Sequence, residues 1–300
     1  MNCLLRKVTG YPRILVRQPK PVNAIRWPAA AEPAIMPPML PASTRPAWDS
    51  DALRDPHAQP DKAVRVEAMF DAIAPTYERV NTVATFGRDA AWRRRTVAAA
   101  DVRPTDVVLD ICCGTGDMLR AFAVHTPRPR LLLGVDFSAG MLAAAHFDGT
   151  HVPIRLIRAD AVRLPLADAS VDVITCAFGV RNFGDLAEGL REMHRVARPG
   201  ARVLILEFAM PENALLCWAY QLYCDRVVPA LAAIISRDRT GAYRYLPRSI
   251  RTFANTRVMA GRIADAGFQA VAVRRMNFGG VALYRGVKPG PVNIVDERAD

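Results

Sequence analysis

Val107-Val108-Leu109-Asp110-Ile111-Cys112-Cys113-Gly114-Thr115-Gly116-Asp117 is the stretch that decides the fold. An apolar run ends in Asp110, a loop of small residues follows, and Met118 to Ala123 resumes with helical spacing. This reads as strand, tight turn and helix. Gly114 and Gly116 let the backbone turn sharply and come close to a ligand, because no Cβ stands in the way. In an open α/β sheet, such a turn at the carboxyl end of a strand is where a nucleotide-like cofactor sits. A bare strand-to-helix turn is the alternative. The dinucleotide fingerprint requires a third glycine. Leu119 occupies that position, and Asp117 after the second glycine opposes a pyrophosphate by charge repulsion.

The next strand narrows the choice. Arg130-Leu131-Leu132-Leu133-Gly134-Val135-Asp136 is a second apolar run ending in Asp, and Asp136 lies 20 residues beyond Gly116. An acid at that distance is placed to accept hydrogen bonds from ribose hydroxyls. Phe137-Ser138 then opens a helix with Ser138 as its N-cap. Two strands ending in Asp110 and Asp136, the first followed by Gly114-Thr115-Gly116, point to S-adenosylmethionine.

The alternation continues along the chain. It predicts strands at 107–110, 131–136, 154–158, 171–177 and 203–208, with helices at 115–124, 138–146 and 186–197, the last closed by Pro199-Gly200. A helix near 256–266 and strands at 270–276 and 280–286 follow. This is an α/β pattern that predicts a mostly parallel sheet with helices on both faces. Ahead of it, Val64 to Ala74 and Trp92 to Ala100 read as helices, the second with Arg93, Arg94 and Arg95 exposed. Residues 211–236 are strongly apolar but interrupted by Asp225, Arg226 and Pro229, which is not a clean spanning helix. Core helices, an interfacial face or a greasy lid all fit that stretch.

Residues 1–60 are rich in Pro, Ala and Arg with no sustained period, and read as a disordered extension. Their first 31 residues carry six Lys and Arg and no acid, which fits an organellar transit peptide. A bacterial tail, or a start set too early with Met36 or Met39 as later candidates, fits equally. No apolar core follows the charges, so this is not a secretory signal. The ordered domain is expected over 61–290 and a loose tail over 291–300.

The chain carries 40 Lys and Arg against 29 Asp and Glu, a formal net charge of +11. Such a surface could serve nucleic acid or an anionic bilayer, or reflect an Arg-rich coding bias. The six cysteines show neither a paired framework nor zinc spacing. They read as free thiols in a reducing compartment. No metal is expected.

Further motifs carry a family resemblance. Gly-Thr-Gly-Asp at 114–117, Val135-Asp136-Phe137-Ser138 with Met141-Leu142, and Asp160-Ala161 with Leu164-Pro165 resemble the cofactor motifs of class I methyltransferases. Phe70-Asp71 through Asn81, Phe178-Gly179-Val180-Arg181-Asn182-Phe183, Tyr243 to Ile250 and Gly280 to Gly286 narrow this further. Together they resemble the ubiquinone/menaquinone C-methyltransferase family over roughly residues 66 to 288.

The resemblance implies a seven-stranded Rossmann-like sheet with an antiparallel C-terminal edge hairpin. It implies S-adenosylmethionine as cofactor, held by Asp110, Gly114, Thr115, Gly116, Asp136, Asp160, Ala161 and Ala177. Asp160-Ala161 would meet the adenine. The family commonly has Ser where Ala177 stands, so only a backbone contact is expected there. N-terminal helices would close over the cofactor and bring Tyr77 to the sulfonium, since an aromatic face stabilises a cation. Arg181 would hold a phenolate, and Asn182 would orient a ring hydroxyl or a water. Arg181 is not a base, because guanidinium stays protonated. His194, in a helix remote from the strand tips, is given no role.

The implied reaction is C-methylation of a polyprenyl hydroquinone, demethylmenaquinol to menaquinol. Cys112-Cys113 resembles the menaquinone branch. The methoxy-polyprenyl benzoquinol of ubiquinone synthesis, another small molecule, or a non-catalytic lipid-binding partner are the alternatives. The expected partners are the quinol and the periphery of a membrane, with a homodimer as the assembly and no nucleic acid. The location would be the cytoplasmic inner face, or the mitochondrial matrix if residues 1–60 are a transit peptide.

Overall fold

The computed structural model describes residues 48–236 and 241–290. Seven strands form one sheet: β1 (Val107–Ile111), β2 (Leu131–Asp136), β3 (Ile154–Arg158), β4 (Val171–Ala177), β5 (Ala197–Phe208), β6 (Gln269–Met276) and β7 (Val281–Val287). Their order is β3-β2-β1-β4-β5-β7-β6. The first five run parallel, and β7 pairs antiparallel with both β5 and β6. The order in which strands are added reverses between β1 and β4, so ligands are expected beyond the tips of those strands.

Strand side chains alternate faces, and the burial follows that period of two. Val107, Leu109 and Ile111 of β1, with Leu131, Leu133 and Val135 of β2, pack in a core with α6 (Leu186–Val196) and α10 (Thr256–Asp265). Val108 and Leu132 enter the opposite core, with α3 (Arg88–Ala99) and α4 (Asp117–Ala123). Burial on both faces explains why these strands read as continuous apolar runs. Ser138 caps α5 (Ala139–Ala144) by accepting from the Met141 N–H at 3.0 Å, as its sequence position predicts.

A third cluster sits above the strand tips. It joins α1 (Lys62–Ile73), α2 (Tyr77–Ala84), α8 (Val228–Ser236) and α9 (Ala242–Thr252) through Met69, Ile73, Val80, Ala232, Tyr243 and Tyr245. Trp48 is fully buried in it, 4.2 Å from the Tyr245 ring. The expected disordered extension is therefore corrected at its end: residues 48–60 pack on the domain. One tryptophan seated in a ready-made aromatic pocket needs no periodic pattern. The rest of the extension, and the expected loose tail, lie outside the described residues.

Three local expectations change. Arg93 is buried, while Arg94 and Arg95 are exposed. Strand β5 begins at Ala197, so Pro199-Gly200 lies inside it rather than ahead of it. In 211–236, Asp225 and Arg226 do not break the helix. A π turn over Tyr223–Val227 absorbs them between α7 (Ala214–Leu222) and α8, and Asp225 accepts from Arg251 at 2.8 Å.

Candidate active site

The turn after β1 uses three left-handed residues in close succession: Cys112, Gly114 and Gly116 have φ of 55°, 55° and 93°. Glycine adopts this region without the clash other residues incur. The turn delivers the Gly114 N–H to Asp136 Oδ2 at 2.8 Å, while Asp136 Oδ1 accepts the Ser138 N–H at 2.9 Å. The second strand's acid thus holds both turns. Burial pushes its pKa up to about 6.

A pocket of about 740 Å³, counted to its mouth, opens over these tips. Gly114, Asp136, Asp160, Ala161, Ala177, Asn182 and Tyr77 all line it. Sequence reasoning therefore brings seven of its named residues to one cavity. Four others stand elsewhere. Asp110 is buried behind the wall, where it accepts the Thr175 hydroxyl at 2.6 Å, and burial lifts its pKa to about 7. Thr115 and Gly116 shape the turn without lining the pocket. Thr115 offers its carbonyl to Arg120 at 2.8 Å. A Cβ on Gly116 would lie 2.6 Å from the Phe147 ring.

Arg181 is the fourth. It lines a second pocket of about 580 Å³ that shares Phe70, Tyr77 and Phe178 with the first. Its guanidinium donates to Glu207 at 2.8 Å and to the Phe178 carbonyl at 2.5 Å. Both members of the ion pair are almost fully buried. Burial pushes the Glu207 carboxyl up, and Arg181 pulls against that. Asn182 accepts the Tyr245 hydroxyl at 2.9 Å. The second pocket also shares Asn81, Thr85, Phe208 and Leu246 with a third, apolar cavity of about 1030 Å³.

Several functional contacts escaped sequence reasoning. Asp71 on α1 accepts the Ser138 hydroxyl at 2.6 Å and the Gly140 N–H at 2.9 Å, tying α1 to the cap and first turn of α5. Lys62 donates to the Phe183 carbonyl at 2.6 Å, and burial lowers its pKa to about 8. Glu67 pairs with Arg158 at 2.6 Å. Glu207 alone carried a signal: it is an acid at the end of an apolar strand, the last residue but one of β5, as Asp110 is of β1.

The first pocket fits S-adenosylmethionine. Its lining includes the carboxylates of Glu67, Asp136 and Asp160 and no lysine or arginine, which suits a sulfonium. Val135, Phe137 and Met141 add an apolar surface suited to a purine. Sheet order, strand-tip acid and glycine turn together define a class I S-adenosylmethionine-dependent methyltransferase. Solved structures share the fold. A methyltransferase in complex with the Haloferax volcanii Trm112 methyltransferase activator is 20% identical with a TM-score of 0.54, covering 73% of this chain and 97% of that one. An S-adenosylmethionine-dependent methyltransferase from Aquifex aeolicus is 16% identical with a TM-score of 0.50, covering 70% and 97%.

The chain matches the ubiE/COQ5 methyltransferase family over residues 58–288, and it belongs to that family. It is 40% identical over 227 residues to the demethylmenaquinone methyltransferase of Mycobacterium marinum, covering 76% of this chain and 95% of the relative. It is 37% identical over 227 residues to the enzyme of that name from Lactiplantibacillus plantarum, covering 74% and 95%.

Proposed function

We propose that this enzyme C-methylates the ring of a polyprenyl hydroquinone in quinone biosynthesis, converting demethylmenaquinol to menaquinol. The observation that carries the reading is the chain of joined cavities. An acid-bearing pocket meets an aromatic pocket across Tyr77 and Phe178, and that pocket meets a larger apolar one. Cofactor, ring and isoprenoid tail would occupy them in that order. The naphthoquinol is chosen on relatives named demethylmenaquinone methyltransferase, which this chain matches over 95% of their length at 37–40% identity.

When bound, S-adenosylmethionine supplies an electrophilic methyl group. Asp136 is assigned to the ribose, Asp160-Ala161 to the adenine, and Gly114 and the Ala177 backbone to the floor of the cofactor pocket. Asp110, Thr115 and Gly116 support that floor from behind. Tyr77 presents its ring where the two pockets meet, and its hydroxyl pKa is raised by burial. The tyrosine therefore stays protonated at neutral pH and acts as a wall and hydrogen-bond donor rather than a base.

An electron-rich ring carbon attacks best as the phenolate, so the site must favour loss of the phenolic proton. Arg181 borders the ring pocket with its geometry fixed by Glu207 and Phe178. Its charge is largely spent on Glu207, so its contribution is a fixed, directional hydrogen bond more than a bare Coulomb pull. Asn182, held by Tyr245, orients a water or ring hydroxyl. Alignment in a closed pocket supplies the other large part of the rate.

Membrane contact belongs to the same proposal. No helix among the described residues is long and apolar enough to cross a membrane. Yet Leu215, Trp218 and Ile234 on α7 and α8, with Phe86 and Phe278, are more than half exposed. Phe86 lines the third cavity. A quinol could enter there from a lipid surface without leaving it.

The test is methyl transfer from labelled S-adenosylmethionine to reduced demethylmenaquinol and, separately, to the methoxy-polyprenyl benzoquinol, in detergent. Preference for the naphthoquinol is expected. Cofactor binding with transfer to neither ring would overturn the quinol reading.

A further inference from the structure

The ring pocket contains a second guanidinium that the proposed chemistry has not used. Arg93 lines it beside Tyr77, Asn81, Thr85, Phe178 and Arg181. Its Nη1 donates to Asp89 at 2.6 Å, and its Nη2 lies 3.0 Å from Asp117. The Thr85 hydroxyl donates to the other Asp89 oxygen at 3.1 Å, so the acid is itself held in place. Arg93 Cζ stands 5.9 Å from the centre of the Phe178 ring.

Of the five N–H groups of this guanidinium, one that neither carboxylate engages stands out. The Arg93 Nε–H is buried and has no acceptor, although the residue is only 7% exposed. Buried polar groups are almost always paired, and an arginine fixed at both terminal nitrogens cannot swing to find another partner. Such a donor, locked beside a cavity, is arranged for an acceptor that arrives with the ligand. The alternative is that Arg93 only clamps α3 to the start of α4, and through Asp117 to the glycine turn.

We propose that Arg93 is a substrate-binding residue whose Nε–H receives one ring oxygen of the hydroquinone. A 1,4-hydroquinone carries two oxygens, and the pocket holds two fixed guanidiniums, Arg93 and Arg181. The proposal rests on the hydroquinone reading and deepens it. It also states what the pocket rejects: a ring lacking that oxygen leaves the buried donor unpaired, and sites built to pair a hydroxyl discriminate strongly against analogues without it.

Arg93→Lys is the informative variant. It keeps a cation between Asp89 and Asp117 but has no counterpart of the Nε–H. The probes are a short-chain prenyl 1,4-naphthoquinol and the two matching naphthols, each lacking one hydroxyl, bound to enzyme saturated with S-adenosylhomocysteine. The wild type should favour the quinol over both naphthols. In Arg93→Lys that preference should collapse to within about threefold for one naphthol, with turnover down on the order of 100-fold and cofactor affinity within threefold. Arg94→Met, on the exposed side of the same helix, should match wild type throughout. Asp117→Asn removes the clamp but keeps the donor, and should leave the preference intact. Unchanged preference in Arg93→Lys would overturn the proposal. So would loss of cofactor affinity in proportion to turnover, which would make Arg93 a clamp. If wild-type enzyme binds cofactor but neither quinol nor naphthol, the hydroquinone reading has failed and this assignment falls with it.

Discussion

Glu207→Gln separates what the buried ion pair contributes to stability from what it contributes to the site. Arg181 and Glu207 side chains are 5% and 1% exposed and 2.8 Å apart. Glu207 also accepts the Phe208 N–H at 2.8 Å, which an amide oxygen can keep. Arg181 Nη1 donates to that same oxygen, Oε1, so the substitution preserves shape and both hydrogen bonds while leaving a guanidinium uncompensated in the core. Breaking a buried pair from one side costs about 3–5 kcal/mol. In a domain of this size each kcal/mol moves the melting temperature by about 2–4 °C, so a fall of about 6–20 °C is expected by calorimetry. The double variant Glu207→Gln/Arg181→Met removes the stranded charge and should recover at least half of that loss, though not the activity. A single-variant cost below about 1 kcal/mol, or a double variant whose cost is the sum of the two singles, would refute the claim that the two residues act as a pair.

Four other outcomes follow from the geometry. Asp136→Ala releases the Gly114 and Ser138 N–H groups and should weaken cofactor binding by at least 10-fold in titration calorimetry, with little change in the relative use of quinol substrates. Because burial pushes the Asp136 pKa up to about 6 and its ionised form accepts hydrogen bonds, wild-type cofactor affinity should rise as pH increases through about 6, while Asp136→Asn should be flat there. Gly179→Ala would put a Cβ 2.6 Å from Cys112 Cβ and 2.8 Å from Cys176 Sγ, so an overpacking cost of about 1–3 kcal/mol is expected, with Cys112 displaced towards the cofactor pocket. Lys62, lowered to about 8 from 10.5, binds fewer protons folded than unfolded between those values, so folding stability should gain as pH rises from 8 to 10.5; denaturant titrations of Lys62→Met should lack that gain.

The centre of the sheet was legible because β1, β2, β4 and most of β5 are buried on both faces, which makes each an apolar run. β2, β3 and β4 run between the residues the sequence predicts. The acid-and-glycine arrangement at Gly114, Asp136 and Asp160 was legible for a related reason: a strand tip fixes position, and chemistry at a tip shows as a break in an apolar run. What the sequence concealed depends on contacts between distant segments. Arg93 in an Arg-Arg-Arg run looks solvated until Asp117 and Asp89 are seen to enclose it. Trp48 in a Pro-rich stretch has no period, yet Tyr245, almost 200 residues away, provides its seat. Asp110 and Arg181 have the residue types of a ligand site but spend them on Thr175 and Glu207, a distinction no local pattern encodes.

The π turn at Tyr223–Val227 sets the rotational phase between two halves of one helical run. An α-helix advances about 100° per residue, so the one-residue excess of a π turn acts as an angular offset. Val228 and Ala232 can face inward on α8 while Leu215 and Trp218 face outward on α7. Deleting a single residue there would roll α7 by about 100° against α8 without changing any side chain in either half. The direction in which the molecule presents its greasy side is thus set by length at one point, and can change independently of the core that α8 shares with α1, α2 and α9.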